Sequence, residues 1–126
     1  MSKILIVDDV EGWRNYHSVV MNELFENPEI QTASSAKEGY DKLLQNNDFP
    51  FDLILTDLQM ESDYEPKYAG EWFVEQIKTF PKYYKTRVVI ISATSNISYI
   101  AESLNVDYIP KSRAINFPEC YNIVTK

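Results

Sequence analysis

Cysteine, linker-type segments and long apolar runs are all scarce in this chain of 126 residues. The single cysteine, Cys120, excludes a disulfide bond within the chain, and no stretch rich in glycine and serine separates two domains. No window approaches the ~18 apolar residues of a transmembrane helix, and the apolar run after Lys3 is too short for a signal peptide. We therefore expect one domain over residues 1–126, cytoplasmic and without a membrane partner.

An excess of positive charge is also missing, because the formal net charge is −7. A protein that holds nucleic acid through bulk charge needs a basic face, and an anionic membrane surface attracts basic segments. Hydrophobic residues make up 44% of the chain, which is enough for a packed core and argues against a disordered tail. The composition therefore predicts a globular protein that does not bind nucleic acid directly.

Short apolar runs alternate with longer amphipathic stretches along the whole chain. The predicted strands are residues 3–7, 30–33, 52–56, 87–92 and 106–109. The predicted helices are residues 10–25, 35–46, 71–80 and 97–104, with a last helix in the tail from Asn116. Alternation of this kind predicts an α/β fold of three layers (α/β/α), in which helices cover both faces of a parallel sheet.

Polar side chains follow several of the predicted strands, at the point where each strand ends. Asp8 and Asp9 come after the first strand, Asp57 after the third, Ser92 closes the fourth, and Lys111 follows the fifth. In parallel α/β sheets, binding sites form outside the carboxyl ends of the strands. We therefore expect these side chains to meet at one edge of the sheet.

Three carboxylates at one edge need compensation if the first and third strands are neighbours. Two carboxylates ~4 Å apart repel by about 4 kcal/mol at an effective dielectric constant of ~20, so the site should hold a proton or a cation. Oxygen ligands suit Mg²⁺, which proteins usually bind through one or two carboxylates, waters and a phosphate. The remaining acid is then free to attack a phosphoryl group. Lys111 would supply positive charge, and Ser92 a hydroxyl.

At these residues the sequence resembles the receiver domains of bacterial two-component response regulators, which include chemotaxis regulators. Four motifs carry the resemblance in the family's order: VDD (7–9), LTDLQM (55–60), ISAT (91–94) and YIPK (108–111). The resemblance covers essentially the whole chain. It implies a flavodoxin-like, doubly wound fold with five parallel strands in the order 2-1-3-4-5.

The resemblance implies that Asp57 is the phosphoacceptor. The donor would be a phosphohistidine on a sensor histidine kinase or a histidine phosphotransfer protein. Asp9, Asp57 and the backbone carbonyl of Gln59 would ligate Mg²⁺ (or Mn²⁺), with Asp8 acting largely through water.

Further roles around the phosphoryl group follow from the same resemblance. Lys111 and Ser92 would contact the phosphoryl group itself. Ser92 and Tyr108 would reorient on phosphorylation and reshape the face made by the fourth helix, fifth strand and fifth helix, which binds a downstream protein. The side chains of Gln59 and Thr94 would act on the attacking water and so on the rate of dephosphorylation.

The chain departs from the family pattern at two places near the expected site. The loop MESDYEPKYAG (60–70) is longer than usual, and it adds three acids near the proposed metal, namely Glu61, Asp63 and Glu65. The lysine of the YIPK motif is usually followed by proline, often through a cis peptide bond. Here Ser112 follows, so we expect a trans bond.

The sequence thus favours a phosphoacceptor receiver domain of a phosphorelay. It would catalyse only its own phosphorylation and dephosphorylation, so it is not an enzyme in the ordinary sense. The main alternative is a pseudo-receiver that binds partners without being phosphorylated, and the full set of acids argues against it. A haloacid-dehalogenase-type hydrolase would need Asp-x-Asp after the first strand. A flavodoxin-like electron carrier would need a Ser/Thr/Gly-rich loop where DDVEGW stands.

His17, on the first predicted helix, is expected to be half-buried and hydrogen-bonded rather than a ligand or phosphodonor.

Overall fold

The computed structural model describes residues 2–60 and 68–125, and within them five parallel strands form one sheet. The strands are β1 (Lys3–Val7), β2 (Glu29–Ala33), β3 (Leu53–Thr56), β4 (Arg87–Ser92) and β5 (Asp107–Pro110). Their order is β2-β1-β3-β4-β5, and each neighbouring pair is parallel. The predicted sheet and strand order are therefore confirmed.

Helices connect the strands and cover both faces of the sheet. They are α1 (Glu11–Leu24), α2 (Ala36–Gln45), α3 (Ala69–Thr79), α4 (Ile97–Leu104) and α5 (Lys111–Asn116). The start of α2 has a side-chain cap: the Oγ of Ser35 accepts a hydrogen bond of 3.0 Å from the backbone N–H of Glu38. No helix in the described part of the chain combines the length and hydropathy needed to cross a bilayer.

Alternate residues of the three central strands, β1, β3 and β4, belong to two separate apolar clusters, one on each face of the sheet. Ile54 packs in the cluster that includes Phe73 of α3, whereas the next residue, Leu55, packs in the cluster that includes Met21 of α1. Successive side chains of a strand point to opposite faces, and here both faces are covered. That is why these three strands read as continuous apolar runs instead of alternating patterns.

The end of the chain differs from the prediction of a helix from Asn116. Helix α5 begins at Lys111, directly after β5, and it ends at Asn116; Pro118–Thr125 forms a 3₁₀ segment. Pro118 has no N–H to donate and disfavours helical backbone at the residue before it, so α5 stops there. Six residues are too few to show a helical period in the sequence, which is why α5 was missed.

Candidate functional site

The register of the sheet brings the residues after β1 and β3 side by side. Val7, the last residue of β1, pairs with the last residues of both neighbouring strands, β2 and β3. The backbone N–H of Asp57 donates to the carbonyl of Val7 (3.0 Å), and that of Asp8 donates to the carbonyl of Ala33 (3.1 Å). The acids that follow β1 and β3 therefore leave the sheet together, at its carboxyl edge.

Asp8, Asp9 and Asp57 form one cluster, with a carboxylate oxygen from each lying within 4.8 Å of the others. Asp8 and Asp57 are buried, at 1% and 5% relative exposure, whereas Asp9 is exposed. Backbone N–H groups orient the two buried carboxylates: Leu58 donates to Asp57 Oδ1 (2.7 Å), and Val10 donates to Asp8 Oδ1 (2.9 Å). The predicted clustering of the three acids is present, with Asp9 on the solvent side.

Lys111 brings an ammonium group into this cluster from the first residue of α5. Its Nζ donates a hydrogen bond of 2.8 Å to Asp57 Oδ2 and lies 3.0 Å from Asp8 Oδ2. Burial lowers the pKa of Lys111, but the hydrogen bond to Asp57 and the negative charges of Asp57 and Asp8 outweigh it, so the pKa is raised and the group stays charged. The bond to Ser112 is trans, as expected.

Among the described residues, negative charge nevertheless exceeds positive charge in the cluster, because three carboxylates face one ammonium. Burial, reinforced by the charge of Asp57, raises the pKa of Asp8, while the N–H of Val10 and the ammonium of Lys111 oppose that change. Asp8 Oδ2 is buried and makes no hydrogen bond of good geometry within the described residues, although the ammonium lies 3.0 Å away. An oxygen-only donor set with excess negative charge fits a hard divalent cation.

The other predicted site residues follow β3, lie at or after the end of β4, or lie in β5. Ser92 lies at the carboxyl end of β4, and its hydroxyl donates to the hydroxyl of Thr94 (3.1 Å). The same hydroxyl accepts a hydrogen bond of 3.3 Å from the backbone N–H of Thr94. Both residues are buried, whereas the side chain of Gln59 is exposed. Tyr108 is partly buried and packs against the apolar cluster on the α3 side of the sheet. The acidic loop residues, Glu61, Asp63 and Glu65, lie outside the described residues.

Gly70 supports the site but was missed by the sequence analysis. A Cβ atom at this position would collide with the backbone carbonyl oxygen of Asp57 and would lie 2.6 Å from the Cα of Leu58. The N–H of Gly70 also donates to the carbonyl of Leu58 (2.9 Å). Helix α3 thus packs directly on the backbone that carries Asp57. In the sequence, Gly70 falls in the loop before the third predicted helix, so no sequence signal indicated this contact.

Two residues of α1 also contact the site without having been predicted to do so. Arg14 donates from Nη1 to the backbone carbonyl of Asp8 (2.8 Å), and the ring of Trp13 lies under the ammonium of Lys111. Both follow the two adjacent acids in the sequence by less than two helical turns. That proximity was the only sequence signal for them.

The predicted hydrogen-bonded state of His17 is confirmed, since its Nδ1 lies 2.8 Å from the hydroxyl of Tyr121, but the residue is buried rather than half-buried.

Comparison with known families gives a match over residues 4–116, to the family described as the response regulator receiver domain. This chain belongs to that family. No curated protein matches this receiver domain in sequence.

Several solved receiver structures resemble this receiver domain over most of their length. The response regulator TrrA of Thermotoga maritima, solved in complex with Mg²⁺ and BeF, is 25% identical, with 99% of this chain and 97% of TrrA covered and a TM-score of 0.75. The phosphorylated cyanobacterial phytochrome response regulator RcpA is 26% identical, with 98% and 88% covered and a TM-score of 0.75. The Mn²⁺-bound response regulator Rcp1 is 23% identical, with 98% and 89% covered and a TM-score of 0.75.

Proposed function

We propose that this receiver domain accepts a phosphoryl group on Asp57 from a phosphohistidine on a sensor histidine kinase or a histidine phosphotransfer protein. The observation that carries the proposal is the hydrogen bond between Lys111 and Asp57 (2.8 Å) inside a cluster with Asp8 and Asp9. Membership of the receiver family supports it. The phosphorylated state named for RcpA is consistent with it.

A divalent cation, Mg²⁺ or Mn²⁺, would be held by Asp9, Asp57 and the backbone carbonyl of Gln59, with Asp8 acting largely through water. The support is the oxygen-only donor set and its excess negative charge. TrrA was solved with Mg²⁺, and Rcp1 with Mn²⁺. When bound, the cation would supply positive charge next to the carboxylates and the phosphoryl oxygens.

Asp57 acts as the nucleophile in this proposal. One of its carboxylate oxygens forms a bond to phosphorus as the phosphorus–nitrogen bond breaks, and the electron pair stays on the imidazole nitrogen of the donor. In such transfers negative charge spreads over three phosphoryl oxygens. The ammonium of Lys111 already lies beside Asp57 Oδ2, so it is in reach of those oxygens. Ser92 would offer its hydroxyl once its bond to Thr94 rearranges.

The output of the domain would be a change in binding, not a chemical product. Phosphorylation would shift an existing equilibrium between two arrangements of Ser92 and Tyr108, and so reshape the face formed by α4, β5 and α5. Large apolar side chains are exposed on and beside these helices: Tyr99, Ile115 and Phe117. Exposed apolar groups of this kind suit a downstream protein partner. Gln59 and Thr94 would act on the water that removes the phosphoryl group.

The test is incubation with acetyl phosphate and Mg²⁺, followed by measurement of the intact mass. We expect a gain of one phosphoryl group in the wild type, no gain in Asp57→Asn, and a normal gain in Asp48→Asn. Asp48 is a suitable control because it is an exposed acid that precedes β3, away from the carboxyl edge. Circular dichroism would check that all three proteins are folded.

Three other results would each contradict the proposal in a different way. Equal labelling of Asp57→Asn would remove Asp57 as the acceptor. A folded wild type that binds Mg²⁺ but takes up no phosphoryl group would be a pseudo-receiver. Sustained turnover of p-nitrophenyl phosphate would point to a hydrolase.

A further inference from the structure

We infer that Trp13 is a positioning residue for phosphoryl transfer, with its indole face holding the ammonium of Lys111 beside Asp57. The inference rests on the proposed function of Asp57 and assigns a specific partner to its lysine. Trp13 lies in the first turn of α1, whereas Lys111 begins α5. The contact therefore joins two helices on the same face of the sheet.

The geometry is that of a cation–π interaction. The Nζ atom of Lys111 lies 4.9 Å from the centre of the Trp13 ring system, inside the ~6 Å range in which such contacts attract. Trp is the aromatic residue that binds cations best, and the attraction grows when water is excluded. The side chain of Lys111 is only 10% exposed, so little water competes with the ring. The ammonium is thus held by two carboxylates and one aromatic face.

The ring of Trp13 is itself held by neighbouring aromatic side chains. His17 lies with its ring centre 5.3 Å away, and Tyr16 lies perpendicular at 5.7 Å. His17 is bonded to Tyr121 in the 3₁₀ segment, and the hydroxyl of Tyr16 donates to the carbonyl of Ala114 in α5 (2.9 Å). The last bond ties α1 to the helix that begins with Lys111. These contacts therefore fix the orientation of the Trp13 ring.

An aromatic face suits the task of this lysine better than a further hydrogen-bond acceptor would. Lysine carries its charge on a flexible stem with three N–H donors. An aromatic ring attracts the charge of the ammonium without accepting a hydrogen bond from one particular N–H group. The ammonium can then turn its N–H groups from Asp57 Oδ2 toward phosphoryl oxygens while its position is kept. Without the ring, the stem is free to swing toward solvent on the side where Asp9 is exposed.

The first test compares Trp13→Phe and Trp13→Leu with the wild type in acetyl-phosphate labelling. We expect the rate constant to fall roughly tenfold in Trp13→Leu and by less in Trp13→Phe, because benzene is a weaker cation-binding face than indole. Trp72→Phe is the matched control, since Trp72 lies on α3 against Tyr40, and α3 packs on the opposite face of the sheet from α5. It should label at the wild-type rate. Equal rates in Trp13→Leu and the wild type would overturn the inference.

A double-mutant cycle separates positioning of Lys111 from a general structural effect. In the Lys111→Met background, Trp13→Leu should slow labelling no further. A fall by the same factor with and without Lys111 would mean that the ring acts in some other way, and the inference would be wrong. A wild type that takes up no phosphoryl group at all would instead refute the proposed function of Asp57.

Nuclear magnetic resonance gives a readout that does not depend on phosphorylation. The ε-methylene protons of Lys111, assigned by their loss in Lys111→Met, should be shifted upfield by the indole ring current. Trp13→Leu should abolish that shift, and Lys111→Met should remove the signal. Lys3 and Lys85 also lie over aromatic rings, those of Phe51 and Tyr84, and their signals should not change in Trp13→Leu. A wild-type spectrum in which the Lys111 signal is not shifted upfield would contradict the contact between Trp13 and Lys111.

Discussion

Lys111 donates a hydrogen bond of 2.8 Å to Asp57 Oδ2, although 54 residues separate the two in the chain. The bond forms because β3, β4 and β5 are parallel neighbours that end at the same edge of the sheet. The same ammonium lies 3.0 Å from Asp8. Two buried carboxylates thus depend on one cation supplied by the start of α5.

Replacing Lys111 by methionine should destabilise the protein by about 2 kcal/mol. Loss of one partner from a fully buried ion pair costs roughly 3–5 kcal/mol, and this site opens to solvent at Asp9, so we expect less. Mg²⁺ should restore part of the loss, since it adds positive charge at the same carboxylates. Urea unfolding with and without Mg²⁺ measures both effects.

Lys82→Met is the control for that substitution. Lys82 forms an exposed ion pair with Asp48 (3.6 Å), and such pairs contribute about 0–1 kcal/mol. The free energy of unfolding of Lys82→Met should differ little from that of the wild type, and Mg²⁺ should raise it by the same amount in both proteins. A Lys111→Met protein as stable as Lys82→Met would contradict the dependence of the carboxylates on the lysine.

Mg²⁺ should stabilise the wild type through binding to the folded state alone. At a concentration of about 100 times Kd, the gain in unfolding free energy would be about 2.7 kcal/mol. Asp9→Asn should lose most of this gain, whereas Asp48→Asn should keep it. Without Mg²⁺, Asp9→Asn should be no less stable than the wild type, because one negative charge leaves a crowded cluster. Thermal unfolding against Mg²⁺ concentration tests this, and an undiminished gain in Asp9→Asn would count against the metal site.

Gly70 and Gly12 offer a matched pair, because each is the second residue of its helix. Gly70→Ala should destabilise the protein by about 1–3 kcal/mol, as overpacked positions do, and should slow labelling because the backbone at Asp57 must shift. Gly12→Ala meets nothing within 4 Å and should stabilise the protein by about 0.5–1 kcal/mol. Denaturant unfolding of both variants gives the comparison. If Gly70→Ala left the free energy of unfolding unchanged, α3 would not pack tightly on the backbone of Asp57.

Acid should weaken the fold through His17. Burial, with a smaller contribution from the charge of Lys111, lowers the pKa of His17 from 6.5 to about 3. The folded state therefore keeps His17 neutral while the unfolded chain takes up a proton below pH 6.5. The contribution of His17 to stability is complete above pH 6.5 and is lost as the pH falls toward 3. One pH unit below 6.5, the loss is about 1.4 kcal/mol.

His17→Phe isolates that pH dependence from the carboxylates, which titrate in both proteins. The variant loses the bond to Tyr121, so its stability should be lower at neutral pH. The difference between the two proteins should shrink by about 1.4 kcal/mol between pH 7.5 and pH 5.5. Guanidinium unfolding at the two pH values measures it, and a difference that stays constant would show that folding does not lower the pKa of His17.

Local sequence patterns predicted a parallel sheet and identified the clustered acids, whereas the strand order came from the resemblance to receiver domains. Buried parallel strands read as unbroken apolar runs, so Asp8, Asp9 and Asp57 stood out where those runs end. The cap at Ser35 was visible for a similar reason, because it depends on residues three positions apart. These features depend on residues that are close together in the chain, so they are visible in the local sequence pattern.

Only the tertiary structure decided how distant residues meet. The face of Trp13 under Lys111, the bond between His17 and Tyr121, and the space that Gly70 leaves for Asp57 all join residues on different elements. Helix α5 was too short to leave a period in the sequence, and yet it presents the lysine to the acids. Such contacts depend on how helices pack on the sheet, which no local pattern of apolar and polar residues encodes.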